Sequence, residues 1–337
     1  MAQAEPTALI HTVVVDANRW AILRERASAI IELSKPGIVR MVVIASAVGF
    51  LIGSIGAVPS MWVAAACLIG TAFSAAGANA LNQACEVERD SCMRRTASRP
   101  IPIGRLTRRT GYAAGVGMSV IGVLVLWFLA SPAAAVVSLA TILSYVLFYT
   151  PLKAVTPLST LVGAIPGALP PLVGWAAASG PVVAEPGASS WQRLLDPGGW
   201  SLFALMFVWQ IPHVMAISWK YREDYAAGGY RVLPSVDPTG IKTARASLLW
   251  AVTLIPVSIF PLAAITMRTD GASVPVLGTG YLIIAILAGL VMLWSTAVFL
   301  RERTNKAALL VFIVSILYLP VVLAAMLVDA FIVHHLW

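Results

Sequence analysis

Residues 60–90 read SMWVAAACLIGTAFSAAGANALNQACEVERD, and this stretch decides the fold class. Residues 60–84 carry no charged side chain, and a helix of that length crosses about 30 Å of hydrocarbon at 1.5 Å per residue. From Asn82 onward the stretch turns polar and acidic. It therefore predicts a membrane-spanning helix that ends in a polar site.

The composition of the whole chain fits the same class. Of 337 residues, 59% are hydrophobic and 11% are charged, whereas soluble domains average about 25% charged residues. The 23 Lys and Arg residues outnumber the 15 Asp and Glu residues, so the net charge is +8. The apolar excess excludes a soluble enzyme, a disordered chain and a soluble nucleic-acid-binding protein, although the charge alone would fit the last. We expect no nucleic acid among the partners.

Nine apolar stretches are long enough to span a bilayer. They lie near residues 38–56, 60–84, 111–130, 132–150, 157–178, 200–219, 246–266, 274–299 and 308–332. We therefore predict an all-α polytopic membrane protein, with nine transmembrane helices in a single domain over residues 34–337. The fifth stretch contains Pro166, Pro170 and Pro171, which predict a kinked or broken helix whose freed carbonyls need partners.

The basic residues predict how the chain lies in the membrane. Of the 23 Lys and Arg residues, 21 lie before or at the very start of the first span or in the loops after even-numbered spans, whereas Arg193 and Arg268 lie on the other side. This asymmetry predicts a cytoplasmic N-terminus and an external C-terminus. Within the cytoplasmic segment 1–33, residues 19–33 (RWAILRERASAIIEL) fit two interpretations. They form either an amphipathic helix on the membrane surface or an unstructured tail with a short helix.

The polar end of the second span carries the strongest functional signal. Asn82, Glu86 and Asp90 are spaced four residues apart, so on one helix they share one face. Oxygen ligands stacked over two turns suit Mg²⁺, which prefers a few carboxylates together with substrate phosphate oxygens and water. A solvated helix end with scattered acids is the alternative, but it does not explain an asparagine deep in an apolar helix.

Further cations follow the second and fourth spans. Arg95 and Arg99 suit phosphate binding through bidentate hydrogen bonds, although charges that only orient the protein would also lie here. The fourth span ends with Tyr145, Tyr149 and Lys153 at four-residue intervals. Lys153 suits a phosphate and the rings suit an apolar or cationic group, but an aromatic belt with a lysine at the interface fits equally well.

The sixth span leads into a second polar cluster. His213 is the one histidine within a predicted span, where polar residues are costly and therefore point to function. Asp224, with Lys220 one turn earlier, forms a weaker counterpart of the Asn82, Glu86 and Asp90 pattern. Two such clusters on one membrane face, above an apolar bundle, favour a Mg²⁺–diphosphate head at the rim and an isoprenoid tail between the helices.

These residues resemble the motifs of the UbiA-type intramembrane prenyltransferases, and in detail those of the branch that farnesylates heme. The NxxxExxxD pattern is followed by MRRTASRPIPIG (93–104). Further matches are SKPGIV (34–39), YTPLKAVTPLST (149–160), GAIPGALPPLVGWAA (163–177), WQIPHVMAISWKYREDYAAGG (209–229) and VLP (232–234). The resemblance runs in register over about residues 34–234, and the last three spans match only in hydropathy and position.

The resemblance implies a nine-helix UbiA-like bundle with its active site on the cytoplasmic side of a bacterial inner membrane. The implied reaction transfers a farnesyl group from farnesyl diphosphate to a vinyl group of heme b. Water adds in the same reaction, which yields heme O for terminal oxidases. Mg²⁺ is the implied cofactor, and heme b is a substrate rather than a cofactor. The implied partners are the lipid bilayer and a downstream heme A synthase or oxidase assembly factors.

Carried over residue by residue, the resemblance assigns three sets of site residues. The catalytic set is Asn82, Glu86, Asp90, Tyr145, Tyr149, Lys153 and Asp224; the substrate-binding set is Lys35, Arg95, Arg99, His213 and Lys220; the metal ligands are Asn82, Glu86, Asp90 and Asp224. His213 contacts the heme either as an iron ligand or near the vinyl group, and both roles stay open.

The chain departs from the family pattern at two points. Its second acidic motif is reduced to Glu223 and Asp224, and Arg231 stands where the family commonly has proline, in the loop that closes over the site.

Other functions also fit part of the pattern. A related prenyltransferase would act on a quinone precursor or a chlorin, but the surroundings of His213 and the RTxxRP stretch argue against it. A transporter would carry charges deep in its spans, and almost none occur here. A heme-delivery factor without catalysis would keep His213 but would not need the NxxxExxxD pattern.

Overall fold

The computed structural model describes residues 6–178, 189–269 and 272–336. For residues 6–19, 268–269, 272 and 334–336 it describes the backbone alone. Within these ranges, nine helical stretches are long and apolar enough to cross a membrane. They confirm the nine predicted spans, and their ends lie within a few residues of the predicted ones.

Helices make up nearly the whole described chain. They are α1 Pro6–Leu33, α2 Pro36–Gly53, α3 Met61–Cys85, α4 Val87–Ser91, α5 Arg108–Val125, α6 Pro132–Leu143, α7 Thr150–Leu152, α8 Ser159–Ala168, α9 Pro170–Ala177, α10 Pro197–Lys220, α11 Arg222–Ala227, α12 Ile241–Ala264, α13 Thr279–Glu302 and α14 Asn305–Leu336. A π-helical turn, Leu126–Ala130, extends α5, and another, Ser144–Tyr149, joins α6 to α7. An antiparallel hairpin of β1 Thr266–Thr269 and β2 Ala272–Pro275, which the sequence did not predict, connects α12 to α13.

Several spans begin at side chains that cap the helix. Ser60, Thr107, Ser131 and Asp196 each accept a hydrogen bond from a backbone N–H in the first turn of the following helix. These N–H groups have no partner inside the helix, so a polar side chain just before it stabilises the start. The caps fix where α3, α5, α6 and α10 enter the bundle.

The fifth span is broken, as its prolines predict. Helix α8 ends at Ala168 and α9 begins at Pro170. Carbonyls on both sides of the break accept hydrogen bonds from side chains outside the fifth span. Gln210 Nε2 donates to the Ala164 carbonyl at 2.8 Å, and Ser131 Oγ donates to the Ala176 carbonyl at 2.9 Å. In a membrane such partners replace the water that would otherwise satisfy these groups.

Glycines allow the second and third spans to pack closely. A Cβ atom on Gly77 of α3 would lie 2.6 Å from the Ser119 nitrogen, and one on Gly122 of α5 would lie 2.5 Å from the Ser74 nitrogen. Small residues let helix backbones approach in a bilayer, where van der Waals contact rather than the hydrophobic effect holds helices together. The close packing fixes α3, which carries the first polar cluster.

Helix α1 lies outside the set of spanning helices. It contacts the bundle through the buried side chains of Ala29 and Leu33, while Trp20, Leu23 and Ile31 are exposed. The first five residues of the predicted 1–33 segment lie outside the described ranges. The placement of α1 on a membrane surface stays a prediction.

Candidate active site

Asn82, Glu86 and Asp90 lie at the end of the second span, and all three side chains are buried. The expectation that these three residues lie on one continuous helix is wrong, because α3 ends at Cys85 and α4 begins only at Val87. Glu86 joins the two helices with φ −100° and ψ 12°, outside the helical range. Backbone hydrogen bonds from Glu86 N to the Asn82 carbonyl (3.1 Å) and from Asp90 N to the Glu86 carbonyl (2.8 Å) preserve the one-turn spacing. The three acceptors therefore follow a kinked helix.

Each of the three acceptors is held by a cation from another part of the chain. The pairs are Lys35 Nζ with Asn82 Oδ1 at 3.2 Å, Lys153 Nζ with Glu86 Oε1 at 3.0 Å, and Arg99 Nη1 with Asp90 Oδ2. Buried carboxylates need such partners because removing a charge from water is costly. Six of the predicted site residues thus form one cluster, which we call the first cluster.

Lys35 reaches the first cluster through a strained backbone. It lies between α1 and α2 with φ 53° and ψ 68°, in the left-handed region that costs a residue other than glycine about 1–2 kcal/mol. Burial, together with the positive charges of Arg99 and Lys153, lowers the pKa of its amine from 10.5 to about 7. An anion that binds beside the amine would favour its charged form.

A π-helical turn positions the tyrosine pair. Pro151 accounts for the wider turn before it, because proline has no N–H and its ring crowds the carbonyl one turn earlier. Thr150 Oγ1 donates to the Tyr145 carbonyl at 2.9 Å. The rings of Tyr145 and Tyr149 stack with their centroids 5.3 Å apart, and Lys153 Nζ lies 5.6 Å from the centroid of the Tyr149 ring. The predicted trio therefore stays together on a helix that is wider than expected.

Lys153 stays charged despite its burial. Burial alone lowers the pKa of its amine, but Tyr149 and the Glu86 carboxylate raise it more strongly, so the pKa lies well above its ordinary value. Lys153 therefore contributes a charged amine to the first cluster, where it pairs with the Glu86 carboxylate.

Tyr230 is a site residue that the sequence did not reveal. Its side chain is buried, and Lys153 Nζ lies 4.2 Å from the centroid of its ring. Its hydroxyl lies beside the Glu86 carboxylate but makes no hydrogen bond of ordinary length to any described residue. Burial raises the pKa of this hydroxyl, Lys153 lowers it, and the Glu86 carboxylate raises it again, so that the pKa lies above its ordinary value. A buried donor with so weak a hydrogen bond, next to cations, suits an anionic ligand.

Arg231 ties the loop after the second motif to the first cluster. Its backbone N–H donates to the Lys153 carbonyl at 2.9 Å, and its side chain is exposed. Proline has no N–H and could not form this bond. The departure from the family pattern therefore adds a hydrogen bond that holds Tyr230 beside Lys153.

The second motif forms a separate, open cleft of about 450 Å³. The cleft is lined by Arg94, Arg95, Lys220, Tyr221, Glu223 and Asp224. Asp224 accepts hydrogen bonds from the backbone N–H of Arg95 at 3.2 Å and from Arg94 Nε at 3.4 Å. The Arg95 guanidinium lies 5.2 Å from the centroid of the Tyr221 ring. The expected arginine pair is therefore divided, since Arg99 belongs to the first cluster and Arg95 to this cleft.

The donor set of the first cluster fits a magnesium ion that also binds substrate phosphates. Asp90 Oδ1 is buried without a hydrogen-bond partner in the described structure, so it is an acceptor still available to a cation. Across the described ranges, no three His, Cys, Asp or Glu side chains lie close enough to hold a metal by themselves. Asp224 is therefore not grouped with Glu86 and Asp90 here, and its role as a metal ligand stays a prediction. Mg²⁺ commonly takes one or two carboxylates and completes its shell with phosphate oxygens and water.

His213 lies within the sixth span, among aromatic side chains. Its ring stacks on Trp209 and Phe312, with centroid distances of 5.2 and 5.1 Å. Its Nδ1 lies 2.8 Å from Ser315 Oγ of the last span. The described structure therefore places His213 between α10 and α14, apart from the carboxylates of the first cluster.

The fold and the site together define a multi-pass membrane protein with a polar, cation-rich site at one end of an apolar helix bundle. The chain belongs to the UbiA prenyltransferase family, whose model matches residues 42–319. It is therefore an enzyme of the prenyltransferase class.

Relatives of known name cover nearly the whole chain. The chain is 39% identical over 309 residues to the protoheme IX farnesyltransferase of Solibacter usitatus, which covers 89% of this chain and 97% of the relative. The protoheme IX farnesyltransferase of Myxococcus xanthus is 36% identical over 310 residues, which covers 90% of this chain and 95% of the relative.

Solved structures share the fold at low sequence identity. A UbiA homolog from Aeropyrum pernix superposes with a TM-score of 0.64 at 19% identity, which covers 86% of this chain and 98% of the homolog. A UbiA homolog from Archaeoglobus fulgidus, solved with DMAPP and Mg²⁺, has a TM-score of 0.61 at 14% identity, which covers 88% of this chain and 98% of the homolog.

Proposed function

We propose that this chain transfers a farnesyl group from farnesyl diphosphate to a vinyl group of protoheme IX, with addition of water, to give heme O and diphosphate. The observation that carries the proposal is the buried first cluster, in which Asn82, Glu86 and Asp90 each face a cation. Identity of 36–39% to farnesyltransferases of the same name supports the choice of acceptor.

The first cluster binds the diphosphate head. Asn82, Glu86 and Asp90 would hold a Mg²⁺ ion, which would help to neutralise the negative charge that develops on the leaving diphosphate. Lys153 and Arg99 turn from the carboxylates toward the phosphates, and Lys35 adds a third positive charge. These charges act at a buried site, where they stabilise a developing anion more strongly than in water.

The tyrosine pair lies where the farnesyl cation forms. The bond between the first farnesyl carbon and the bridging oxygen breaks, and its electron pair leaves with the diphosphate. Tyr145 and Tyr149, stacked beside Lys153, offer their ring faces to the allylic cation.

The heme vinyl group then supplies the electrons for the new bond. Its outer carbon bonds to the first farnesyl carbon, and the inner carbon, left positive beside the porphyrin ring, takes the oxygen of one water molecule. That water releases one proton, so the products are a hydroxylated farnesylheme, diphosphate and a proton. The second cleft, with Arg94, Arg95 and Lys220, suits the carboxylates of a porphyrin.

The distribution of basic residues supports the bacterial cytoplasmic membrane as the location, with the N-terminus in the cytoplasm. The first cluster then faces the cytoplasm. A heme A synthase or oxidase assembly factors are the proposed downstream partners.

The test uses the purified full-length chain in detergent with heme b, farnesyl diphosphate and Mg²⁺, followed by mass analysis of the heme. We expect a heme that has gained one farnesyl group and one water, and no product once a chelator has removed the metal. Asp90→Ala should lower product formation at least about 100-fold while the protein still inserts into the membrane.

Glu88→Gln is the matched control on the same short helix. Glu88 is exposed and pairs with Arg108 outside the cluster, so the variant should keep normal turnover. Near-normal turnover of Asp90→Ala would refute the metal assignment. Transfer of farnesyl to a quinone precursor or chlorin instead of heme would refute the acceptor.

A further inference from the structure

The segment 228–231, which we call the Tyr230 loop, carries Tyr230 from the end of α11 to the first cluster. Just after α11, Gly229 lies in the left-handed region at φ +69°, and the Tyr230 N–H donates to the Tyr225 carbonyl at 2.9 Å. This bond closes a Schellman motif, a common helix end in which glycine takes the left-handed position. It leaves the carbonyls of Gly228 and Gly229 free to accept hydrogen bonds from another part of the chain.

Arg89 of α4 supplies the donors for both carbonyls. Its Nη1 donates to the Gly229 carbonyl at 3.0 Å and to the Gly228 carbonyl at 3.3 Å. A guanidinium presents five N–H donors in one plane, so a single arginine can hold two neighbouring carbonyls. The half-buried Arg89 side chain therefore fastens the Tyr230 loop to the helix that carries Asp90.

Two glycines make room for this contact. A Cβ on Gly228 would lie 3.0 Å from Cγ of Met93 and 3.3 Å from the Arg89 carbonyl oxygen, and one on Gly229 would lie 3.2 Å from Arg89 Nη1. These distances are shorter than the optimal separation of about 3.5–4.0 Å between carbon atoms. A larger residue at either position would push the Tyr230 loop away from α4.

The buried Tyr230 ring contacts cations of two elements. Arg89 Cζ lies 5.4 Å from the ring centroid, and Lys153 Nζ lies 4.2 Å from it. One residue further on, the Arg231 N–H donates to the Lys153 carbonyl at 2.9 Å. The loop is therefore held by α4 at one end and by Lys153, which pairs with Glu86, at the other.

Arg89 does not itself belong to the first cluster. Successive residues of a helix point about 100° apart, so Arg89 and Asp90 face different neighbours. Asp90 pairs with Arg99 in the cluster, whereas Arg89 bonds to the Tyr230 loop. Arg89 therefore reaches the anion site through the loop that it holds.

We infer that Arg89 is a positioning residue for the prenyl diphosphate, which fixes the Tyr230 hydroxyl at the first cluster by fastening the Tyr230 loop to α4. When the diphosphate binds, this hydroxyl donates to a phosphate oxygen. Because the loop is already ordered, binding loses less conformational entropy. The inference rests on the proposed function for the nature of the anion.

The test measures the affinity of the purified full-length chain for radiolabelled farnesyl diphosphate, with Mg²⁺ and without heme. Arg89→Met removes the donors and keeps most of the apolar stem. It should weaken affinity about 10-fold, as expected for loss of the Tyr230 hydroxyl, while KM for heme stays unchanged. Arg89→Lys, which keeps the charge and a donor, should recover most of the affinity. Unchanged affinity in Arg89→Met would overturn the inference.

A double variant separates positioning from the charge of Arg89. If Arg89 acts through Tyr230, then Arg89→Met combined with Tyr230→Phe should bind about 10-fold more weakly than the unchanged chain, as each single variant does. A separate effect of the lost charge would instead multiply the two losses to about 100-fold. That result would contradict the positioning role.

Arg108→Met is the matched control. Arg108 pairs with Glu88, the residue before Arg89, and its Cζ lies 5.8 Å from the centroid of the Tyr112 ring. It is therefore another arginine that anchors α4, but it does not contact the Tyr230 loop. Its loss should leave the affinity for farnesyl diphosphate unchanged. Equal weakening in Arg108→Met and Arg89→Met would assign the effect to α4 as a whole and overturn the inference.

Mass analysis of heme from the same preparations separates this inference from the reaction. Farnesylated heme made by a chain whose affinity for farnesyl diphosphate does not depend on Arg89 would overturn the inference and leave the proposed function intact. An Arg89-dependent affinity in a chain that farnesylates another acceptor would support the inference and refute the proposed function.

Discussion

At the scale of single residues, the active site is built from charges that already have partners. Lys153 is 11% exposed and Glu86 is 4% exposed, and the two form a buried ion pair. Such a pair contributes little net stability, but loss of one partner leaves an uncompensated charge. In the proposed mechanism the cations of the first cluster therefore have two roles: they pair with Asn82, Glu86 and Asp90 before the diphosphate binds, and they bind the diphosphate afterwards.

Lys153→Met should expose this double role. The variant leaves Glu86 buried without a counter-charge, which should lower the free energy of unfolding by about 3–5 kcal/mol and stop turnover. Adding Glu86→Gln should recover most of the stability but none of the activity. Thermal unfolding in detergent and product analysis on the two single variants and the double variant measure both effects. Recovery of activity in the double variant would contradict a direct role for Lys153 at the phosphates.

Tyr230→Phe should separate the hydroxyl of Tyr230 from its ring. The ring stays over Lys153, but the buried hydroxyl can no longer donate to a phosphate oxygen. We expect KM for farnesyl diphosphate to rise about 10-fold, as for the loss of a hydrogen bond to a charged group, with little change in thermal stability. Tyr112→Phe, whose hydroxyl bonds to Cys85 outside the site, is the control. Equal KM values for Tyr230→Phe and the unchanged chain would remove the hydroxyl from the site.

At the scale of elements, the spans were predictable and their irregularities only partly so. Hydropathy gave the helices, because twenty apolar residues in a bilayer must satisfy their backbone internally. The break at Pro170 followed from proline chemistry. The kink at Glu86 did not, because no proline or glycine marks it, and it shows only in the backbone angles. Pro151 accounts for a disturbed turn before it, but from the sequence the proline alone does not predict that this turn is π-helical.

The same limit applies to the site. The spacing of Asn82, Glu86 and Asp90 could be read directly, because four-residue intervals define a helix face. Tyr230 belongs to no spacing pattern, and only the folded loop brings it to Lys153. The division of Arg95 from Arg99 also required the structure, since the loop between them is not one continuous helix.

The start of helix α10 should show a pH-dependent stability. Asp196 Oδ1 accepts a hydrogen bond from Gly198 N at 2.7 Å, and burial, partly offset by this bond, raises the pKa of Asp196 from 3.8 to about 6. The folded chain therefore holds this proton more tightly than the unfolded chain. The contribution of Asp196 to stability is complete below pH 3.8 and is lost as the pH rises through about 6.

Asp196→Asn keeps an acceptor for the cap without the charge. The melting temperature of the variant, relative to that of the unchanged chain, should therefore increase between pH 4 and pH 7. Melting curves in detergent across this range measure the difference. A difference that falls with pH would mean that the helix dipole, which favours a negative charge at this end, outweighs burial.

At the scale of the whole molecule, the spans and the charges give one consistent arrangement. The nine spans of the described chain, an odd number, place the two ends of the bundle's chain on opposite sides of the membrane. The basic loops fall on the side that carries both polar clusters. With the proposed orientation, most of the net charge of +8 lies in the cytoplasmic loops that orient the chain, and only a few cations belong to the proposed substrate site.

Reporter fusions test this orientation. A reporter that is active only outside the cytoplasm should be active when fused after Trp337 and inactive when fused before Met1. A fusion after Thr304, in the loop between α13 and α14, should behave like the N-terminal fusion. Activity at Thr304 together with silence at the C-terminus would reverse the predicted topology.

At Lys35, the residue that best suits the left-handed backbone differs from the residue that the site uses. A glycine would relax the joint between α1 and α2, so a search for heat-resistant variants would favour it at this position. The same exchange would remove the amine beside Asn82. Selection for thermostability without an activity screen would therefore weaken the first cluster. At position 35, selection for thermostability favours glycine, whereas selection for turnover favours lysine.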